Sequence, residues 1–291
     1  MGSGSFTTAS FTTYSTSRGR TVDSNGTVTS NSLQDFYQQT HIHKDLNPYK
    51  VVRECCDSEE HPNTIPVIIG LDVTGSMGRA CVKTAQNLNT IITSLYDKFD
   101  DIEFMIMGIG DLSYDTAPIQ ASQFESDVRI AEHLDKVYME HGGGGNGFES
   151  YTAAWYFGLY HTKLDCWKRG KKGIIITMGD EPLNPYLPKY PLSRVTGDNL
   201  EADVETKDLY ELTKEKFDIY HIAINDFDDC YQVYKSRVDA SFGDLLKENY
   251  KVSTLDELPN IIVKCIENSV NGYSTENSVE SANNNSNLIS W

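Results

Sequence analysis

Residues Ile65–Gly78 read I-P-V-I-I-G-L-D-V-T-G-S-M-G, an apolar run that stops at an acid and leads through two hydroxyls into a helix. A short apolar run bounded by Pro66 and a turn-prone loop has the character of a fully buried strand. Directly after it, Val82, Ala85, Leu88, Ile92, Leu95, Tyr96 and Phe99 recur at helical spacing on one face. Asp72, Thr74 and Ser76 stand at alternate positions between the two elements, and Gly75 and Gly78 relax the backbone around them. Hard oxygen donors at the carboxyl end of a central strand suit Mg2+, or less strictly Mn2+ or Ca2+. The same residues also admit a plainer reading, in which Asp72 caps the next helix and the hydroxyls satisfy loop amides.

The strand–helix pattern repeats along the chain. Ile102–Gly110 is a second buried strand ending at Asp111, and 117–124 reads as an edge strand because Pro118 is tolerated only there. A helix is predicted over Val128–Val137. The loop Gly142–Gly147, G-G-G-G-N-G, lets the backbone approach a ligand closely and precedes a predicted helix over 149–163. That helix's Tyr151, Trp155 and Leu159 face reads as core. Gly173–Asp180 is another buried strand ending in an acid. A charged helix over 203–217, a strand over 219–224, a helix over 231–242 and a last strand over 250–254 follow. Thr254 and Glu257 then form a T-x-x-E capping box, opening a helix with Leu258, Ile261, Ile262, Cys265 and Ile266 inward.

Strands alternating with amphipathic helices give an α/β fold: a doubly wound, mostly parallel central sheet with helices on both faces. In such sheets ligands bind outside the carboxyl ends of the strands, where the strand order reverses. Asp72, Asp180 and the Gly-rich loop all lie at such ends. This domain is assigned to residues 65–270. Residues 1–32, dominated by Ser, Thr and Gly, are predicted disordered because they bury too little to offset ordering entropy. Residues 33–64 carry Phe36, Tyr37, Leu46, Tyr49, Val51 and Val52 and read as an extension packed on the domain. Residues 271–291 read as a disordered polar tail with a short apolar end at Leu288, Ile289 and Trp291.

The formal net charge of −17 argues against a nucleic-acid partner. No run of about eighteen apolar residues is present, so no membrane span is expected, and no Sec-type signal peptide is visible at the N-terminus. The six cysteines lack a C-x-x-C pair, which favours a reduced, cytoplasmic setting. A phosphate-binding loop would need the G-x-x-x-x-G-K-[ST] spacing and its lysine, which this chain lacks.

At D-V-T-G-S the sequence resembles the von Willebrand factor A (VWA) family, whose metal-ion-dependent adhesion site (MIDAS) opens with D-x-S-x-S. Intracellular bacterial or phage members are the nearest type. The resemblance covers about 65–268 and implies a Rossmann-like VWA fold. It implies that Thr74 and Ser76 touch the metal and that Asp72 holds it directly or through water. G-I-I-I-T-M-G-D matches the third metal loop, so Asp180 should face Asp72, with Glu181 beside it. The second loop matches a G-G-G-D-x-x-E variant with Asn146 in place of the acid, offering only a neutral carbonyl oxygen, and with Glu149 after it. The family usually works by binding a carboxylate from a partner protein at the metal's open position, in multi-protein assemblies and, for intracellular members, often beside an AAA+ ATPase. On that basis the chain is expected to be a binding module and not an enzyme.

Two other readings stand beside it. D-V-T-G-S also resembles the D-x-[DT]-G-[TS] nucleophile loop of haloacid-dehalogenase-like phosphatases, in which Asp72 would be phosphorylated with Mg2+ bound by Gly179–Glu181. Against this, a long helix follows the motif at once, and Thr74 cannot act as a general acid–base at neutral pH. The chain could also be a structural subunit of a phage or other large assembly, with its tails as docking arms.

Overall fold

The computed structural model describes residues 4–140, 145–226 and 230–285, leaving aside the side chains of 230 and 273–285. The chain opens with α1 (Thr8–Ser17) and a single turn, α2 (Leu33–Phe36), and then β1 (Arg53–Cys55). The apolar run becomes β2 (Ile65–Asp72), which leads through a 3-10 turn into α3 (Gly78–Tyr96). There follow β3 (Ile102–Ile109), β4 (Ile119–Ala121), α4 (Arg129–Asp135), α5 (Thr152–Tyr160), β5 (Thr162–Leu164) and β6 (Gly173–Gly179). A small hairpin of β7 (Tyr186–Leu187) and β8 (Val204–Glu205) encloses α6 (Lys189–Thr196) and leads into α7 (Thr206–Thr213). The chain ends with β9 (Phe217–Ile224), α8 (Cys230–Leu246), β10 (Tyr250–Ser253) and α9 (Leu258–Asn285).

The central sheet has six strands in the order β10-β9-β6-β2-β3-β4. Every neighbouring pair is parallel except β3 and β4. This is the doubly wound α/β fold expected from the alternation, and β4 occupies the edge that Pro118 requires. From β2 the chain winds first towards β3 and β4, then returns to β2's other side to lay down β6, β9 and β10. The strand order therefore reverses between β2 and β6, the strands that carry Asp72 and lead to Asp180.

Burial follows the two-residue period of the strands. Val67, Ile69 and Leu71 join the apolar layer under α1, α3, α4 and α9, while Ile68, Met105 and Ile175 join the layer under α5, α7 and α8. The apolar stripe on α3 is inward as its spacing demands: Val82, Ala85, Leu88, Ile92 and Leu95 are buried, and Tyr96 and Phe99 pack partly buried against the same layer. Among the described residues no helix is long and apolar enough to cross a membrane.

The structure departs from expectation at both ends. Residues 4–32 are not disordered. Thr7 and Ser10 form a reciprocal capping box at the start of α1, and Phe6, Phe11 and Val28 are buried in the main core. Asp135 on α4, itself buried, receives Arg20 at 2.8 Å and the Tyr14 hydroxyl at 2.7 Å. The segment has too few apolar residues to make a core of its own, but it needs only three to join one that exists. Within 33–64, Phe36, Tyr37 and Leu46 are buried, whereas Tyr49 and Val52 remain exposed. At the other end, α9 runs through Gly272 to Asn285 instead of giving way to an irregular tail. The apolar residues Leu288, Ile289 and Trp291 lie outside the described residues.

Local pairing also shortens predicted helices. The helix expected over 149–163 is confined to α5, because Glu149 pairs with Leu183 and Thr162–Leu164 leaves to form β5 beside β1. The helix expected over 203–217 starts only at Thr206, because Val204 and Glu205 pair with Leu187 and Tyr186.

Candidate functional site

The rim of the sheet at the β2–β6 crossing is built from three loops. Asp72 ends β2 with its side chain fully buried. The backbone N–H and the hydroxyl of Thr74 both donate to Asp72 Oδ1, at 2.9 and 2.6 Å. Its Oδ2 accepts the Tyr151 hydroxyl at 2.7 Å, and its main-chain carbonyl accepts the Cys81 thiol at 3.3 Å. Asp180, just past β6, is also fully buried and accepts the Ser76 hydroxyl at 3.1 Å. The D-x-T-x-S stretch and the third-loop acid therefore meet as their sequence positions suggest, through the adjacency of β2 and β6.

The second loop is placed differently from its sequence match. His141–Gly144 lie outside the described residues, so the Gly-rich stretch is described only from Gly145. Asn146 is exposed, and its side-chain oxygen accepts the Phe148 N–H at 3.0 Å in a local turn. The residue of this loop that comes near Asp72 is Glu149, which also feels Asp115 and Glu181; it is 1% exposed, and its Oε2 is buried without a hydrogen-bond partner. The Glu149 N–H donates to the Pro182 carbonyl at 3.4 Å, and the Ser150 hydroxyl accepts the Leu112 N–H at 3.0 Å. These contacts fasten the second loop to the loops after β6 and β3. Glu181 is half-buried beside Asp180, and its N–H donates to the Tyr151 hydroxyl at 3.3 Å.

Such packing is costly for charged groups. Burial, and then the charge of Asp180, push the Asp72 carboxyl up to about 7 against three hydrogen bonds that pull it down. Burial and the neighbouring acids, Asp72 first, push Glu149 up to about 11. On the far side of the rim, burial raises Asp115 to about 6, with Glu140 and Asp111 adding to it. His221, beneath Tyr151, supplies no compensating charge. Burial lowers it to about 3, and its ring is stacked on Phe242 at 3.6 Å.

Among the described residues no group of three or more His, Cys, Asp or Glu side chains is arranged to hold a metal ion. A cation at this rim would instead be met by a mixed set: the carboxylates of Asp72 and Asp180 and the hydroxyls of Thr74 and Ser76. These are oxygen donors only, as Mg2+, Mn2+ or Ca2+ prefer. The orphaned Glu149 oxygen and the crowding of acids are the marks of a place short of positive charge, so the donor set fits such an ion. A groove of about 750 Å3 opens beside Ser76, between Leu33 from the N-terminal segment, Val82 and Lys83 on α3, and Leu255 before α9.

Tyr151 was legible in sequence only as core. It is indeed buried, but its hydroxyl joins the Asp72 loop to the Glu181 loop. The available signal was its place two residues after the second-loop acid, together with a glycine immediately before Asp180.

No family model matches the chain, and no curated protein does. Solved structures that it resembles include the pilus adhesin SpaC from Lactobacillus rhamnosus GG in an open conformation. There the identity is 12% and the TM-score 0.48, over 75% of this chain and 31% of that one. Proximal thread matrix protein 1 from the mussel byssus is similar at 13% identity and a TM-score of 0.44, over 74% of this chain and 46% of that one. The vWF domain of the type V pili tip protein Mfa5 from Porphyromonas gingivalis is similar at 9% identity and a TM-score of 0.45, over 72% of this chain and 96% of that one. The chain thus spans about a third of the adhesin's length.

Proposed function

We propose that the chain is a protein-interaction module of the VWA type whose rim holds one divalent cation, Mg2+ or less strictly Mn2+ or Ca2+. The observation that carries this reading is the meeting of buried Asp72 and Asp180 with the Thr74 and Ser76 hydroxyls, where the strand order reverses. When bound, the cation offers an open coordination position to a carboxylate from a partner protein. Asp72 and Asp180 supply the negative charge that retains it. The Thr74 hydroxyl donates its hydrogen bond to Asp72 and keeps its lone pairs free, so it can be donor to the acid and ligand at once. Asn146, turned to Phe148, is left out of this set, and Glu149, protonated while no cation is bound, is the second-loop acid that can lose its proton and add charge when one binds.

Asp72 is poorly suited to serve as a phosphoryl acceptor. Three hydrogen-bond donors already occupy its two oxygens, which leaves little of the carboxylate open for in-line attack on phosphorus. We therefore assign no turnover to the site.

The test is titration calorimetry and thermal melting with Mg2+, Mn2+ and EDTA. A metal bound only by the folded state stabilises it by mass action, by about 2.7 kcal/mol at one hundred times its dissociation constant, and so raises the melting temperature. Asp72→Asn and Asp180→Asn are expected to abolish the response. A wild-type protein indifferent to all three additions would sink the reading, and a phosphoenzyme trapped on Asp72 with beryllofluoride would replace it with the enzymatic one.

A further inference from the structure

We infer that Tyr151 is the positioning residue of this rim: its hydroxyl holds the Asp72 carboxylate in one orientation and ties the first loop to the third, and cation binding depends on it. The inference rests on the metal reading above and extends it to a residue outside the ligand set.

An ionised carboxylate has about four lone-pair positions. On Asp72, the two donors from Thr74 fill Oδ1, and Tyr151 takes one position on Oδ2. One lone pair remains, on the oxygen that Tyr151 holds. Where that lone pair points is thus set by the phenol. The same phenol oxygen accepts the Glu181 N–H, so a movement of Tyr151 would shift the loop that carries Asp180 as well.

The surroundings leave the ring little freedom. Tyr151 is fully buried, with the His221 ring 4.8 Å away edge-on and Phe242 at 5.7 Å. Gly179, the last residue of β6, lies so close that a Cβ there would sit 1.9 Å from the phenol oxygen and 2.3 Å from the carbon bearing it. A side chain at 179 and the present position of Tyr151 exclude each other. A tyrosine that merely filled the core would not need the central sheet to omit a side chain beside its hydroxyl, nor a carboxylate as its acceptor.

Tyr151→Phe keeps the ring and removes both bonds. By calorimetry it is expected to weaken Mg2+ binding about tenfold, the scale of one hydrogen bond to a charged group. Phe242→Leu, which disturbs only the ring's packing, is expected to lower the melting temperature and leave Mg2+ affinity within about twofold. A double-mutant cycle with Asp72→Ala, read as melting temperatures in EDTA, separates action through Asp72 from general loosening: Tyr151→Phe should cost markedly less when the acceptor has already been removed by Asp72→Ala. If the phenylalanine variant fails to fold, 3-fluorotyrosine placed at 151 strengthens the donor with only a small increase in ring size and is expected to tighten Mg2+ binding. The inference is overturned if Tyr151→Phe, or the fluorinated residue in its stead, leaves affinity within about twofold. It is equally overturned if the phenylalanine effect is undiminished in the Asp72→Ala background. A wild-type protein that binds neither Mg2+ nor Mn2+ would sink the metal reading alone, and the EDTA cycle would still decide whether Tyr151 acts through Asp72.

Discussion

Asp72 and Glu149 hold protons in the folded state that the unfolded chain releases near pH 4, since burial and neighbouring acids raise both. The groups acting on Asp72 are Asp180, Thr74 and Tyr151; those on Glu149 are Asp72, Asp115, Glu181 and Asp111. Between the ordinary carboxyl range and the raised values, the native state binds more protons than the unfolded one. Stability is therefore fullest below about pH 4 as far as these groups count, and it falls as pH rises through about 7 for Asp72 and beyond for Glu149. In EDTA the melting temperature is expected to fall between about pH 5 and pH 8, and saturating Mg2+ should flatten that slope. Glu149→Gln should raise the metal-free melting temperature by removing one buried acid and should weaken Mg2+ binding. A flat pH profile in EDTA, or a Glu149→Gln protein that melts lower, would show that these acids are neutralised in some other way. What the sequence could not reveal here is direction. It placed Asn146 and Glu149 in one loop, but a side chain's aim depends on where Phe148 and Pro182 lie. Asn146 spends its oxygen on a local N–H, and Glu149 is drawn under the rim by its pairing with Leu183.

Long periodic elements such as β2, α3, β3, β6 and β9 could be read from their apolar spacing, because each buries a continuous face. The short pairings β1–β5 and β7–β8 could not, since two or three residues carry no period and form only because partners far along the chain come within reach. The N-terminal segment is the larger surprise. Composition measures whether a stretch can fold alone, and this one borrows the core of α3 and α4. Phe11→Ala is expected to cost about 3 kcal/mol, as for other fully buried phenylalanines. Arg20→Ala should cost a similar amount, about 3 kcal/mol, because it strips a buried partner from Asp135. Both are measured by urea unfolding. Losses below about 0.5 kcal/mol in both would mean that the segment rests on the domain without supporting it.

The molecule as a whole carries a formal charge of −17, and yet its proposed partner offers a carboxylate. At long range the two repel, and attraction exists only within a few ångströms of the cation. Salt should then help the encounter: raising ionic strength from about 0.01 to 0.1 M shortens the screening length from about 30 to 10 Å. In the presence of Mg2+, an Asp-bearing acidic peptide is expected to associate faster in the higher salt, by stopped-flow or surface measurements. Slower association would place a basic face at the rim that the charge distribution does not suggest.

The docking of the N-terminal segment on Ser126 and on Asp135 of α4 also sets an order of events during synthesis. The Ser126 carbonyl accepts the Phe6 N–H and Asp135 receives Tyr14 and Arg20, and both partners come more than a hundred residues later in the chain. At translation rates of about 5–20 residues per second, the segment waits on the order of ten seconds before its site exists. Over that interval a greasy leader would be a hazard to the nascent chain. A leader of Ser, Thr and Gly with a few well-spaced aromatics can wait in water and still dock when α4 emerges. The composition that makes the segment look unstructured is the one that a late-docking segment requires.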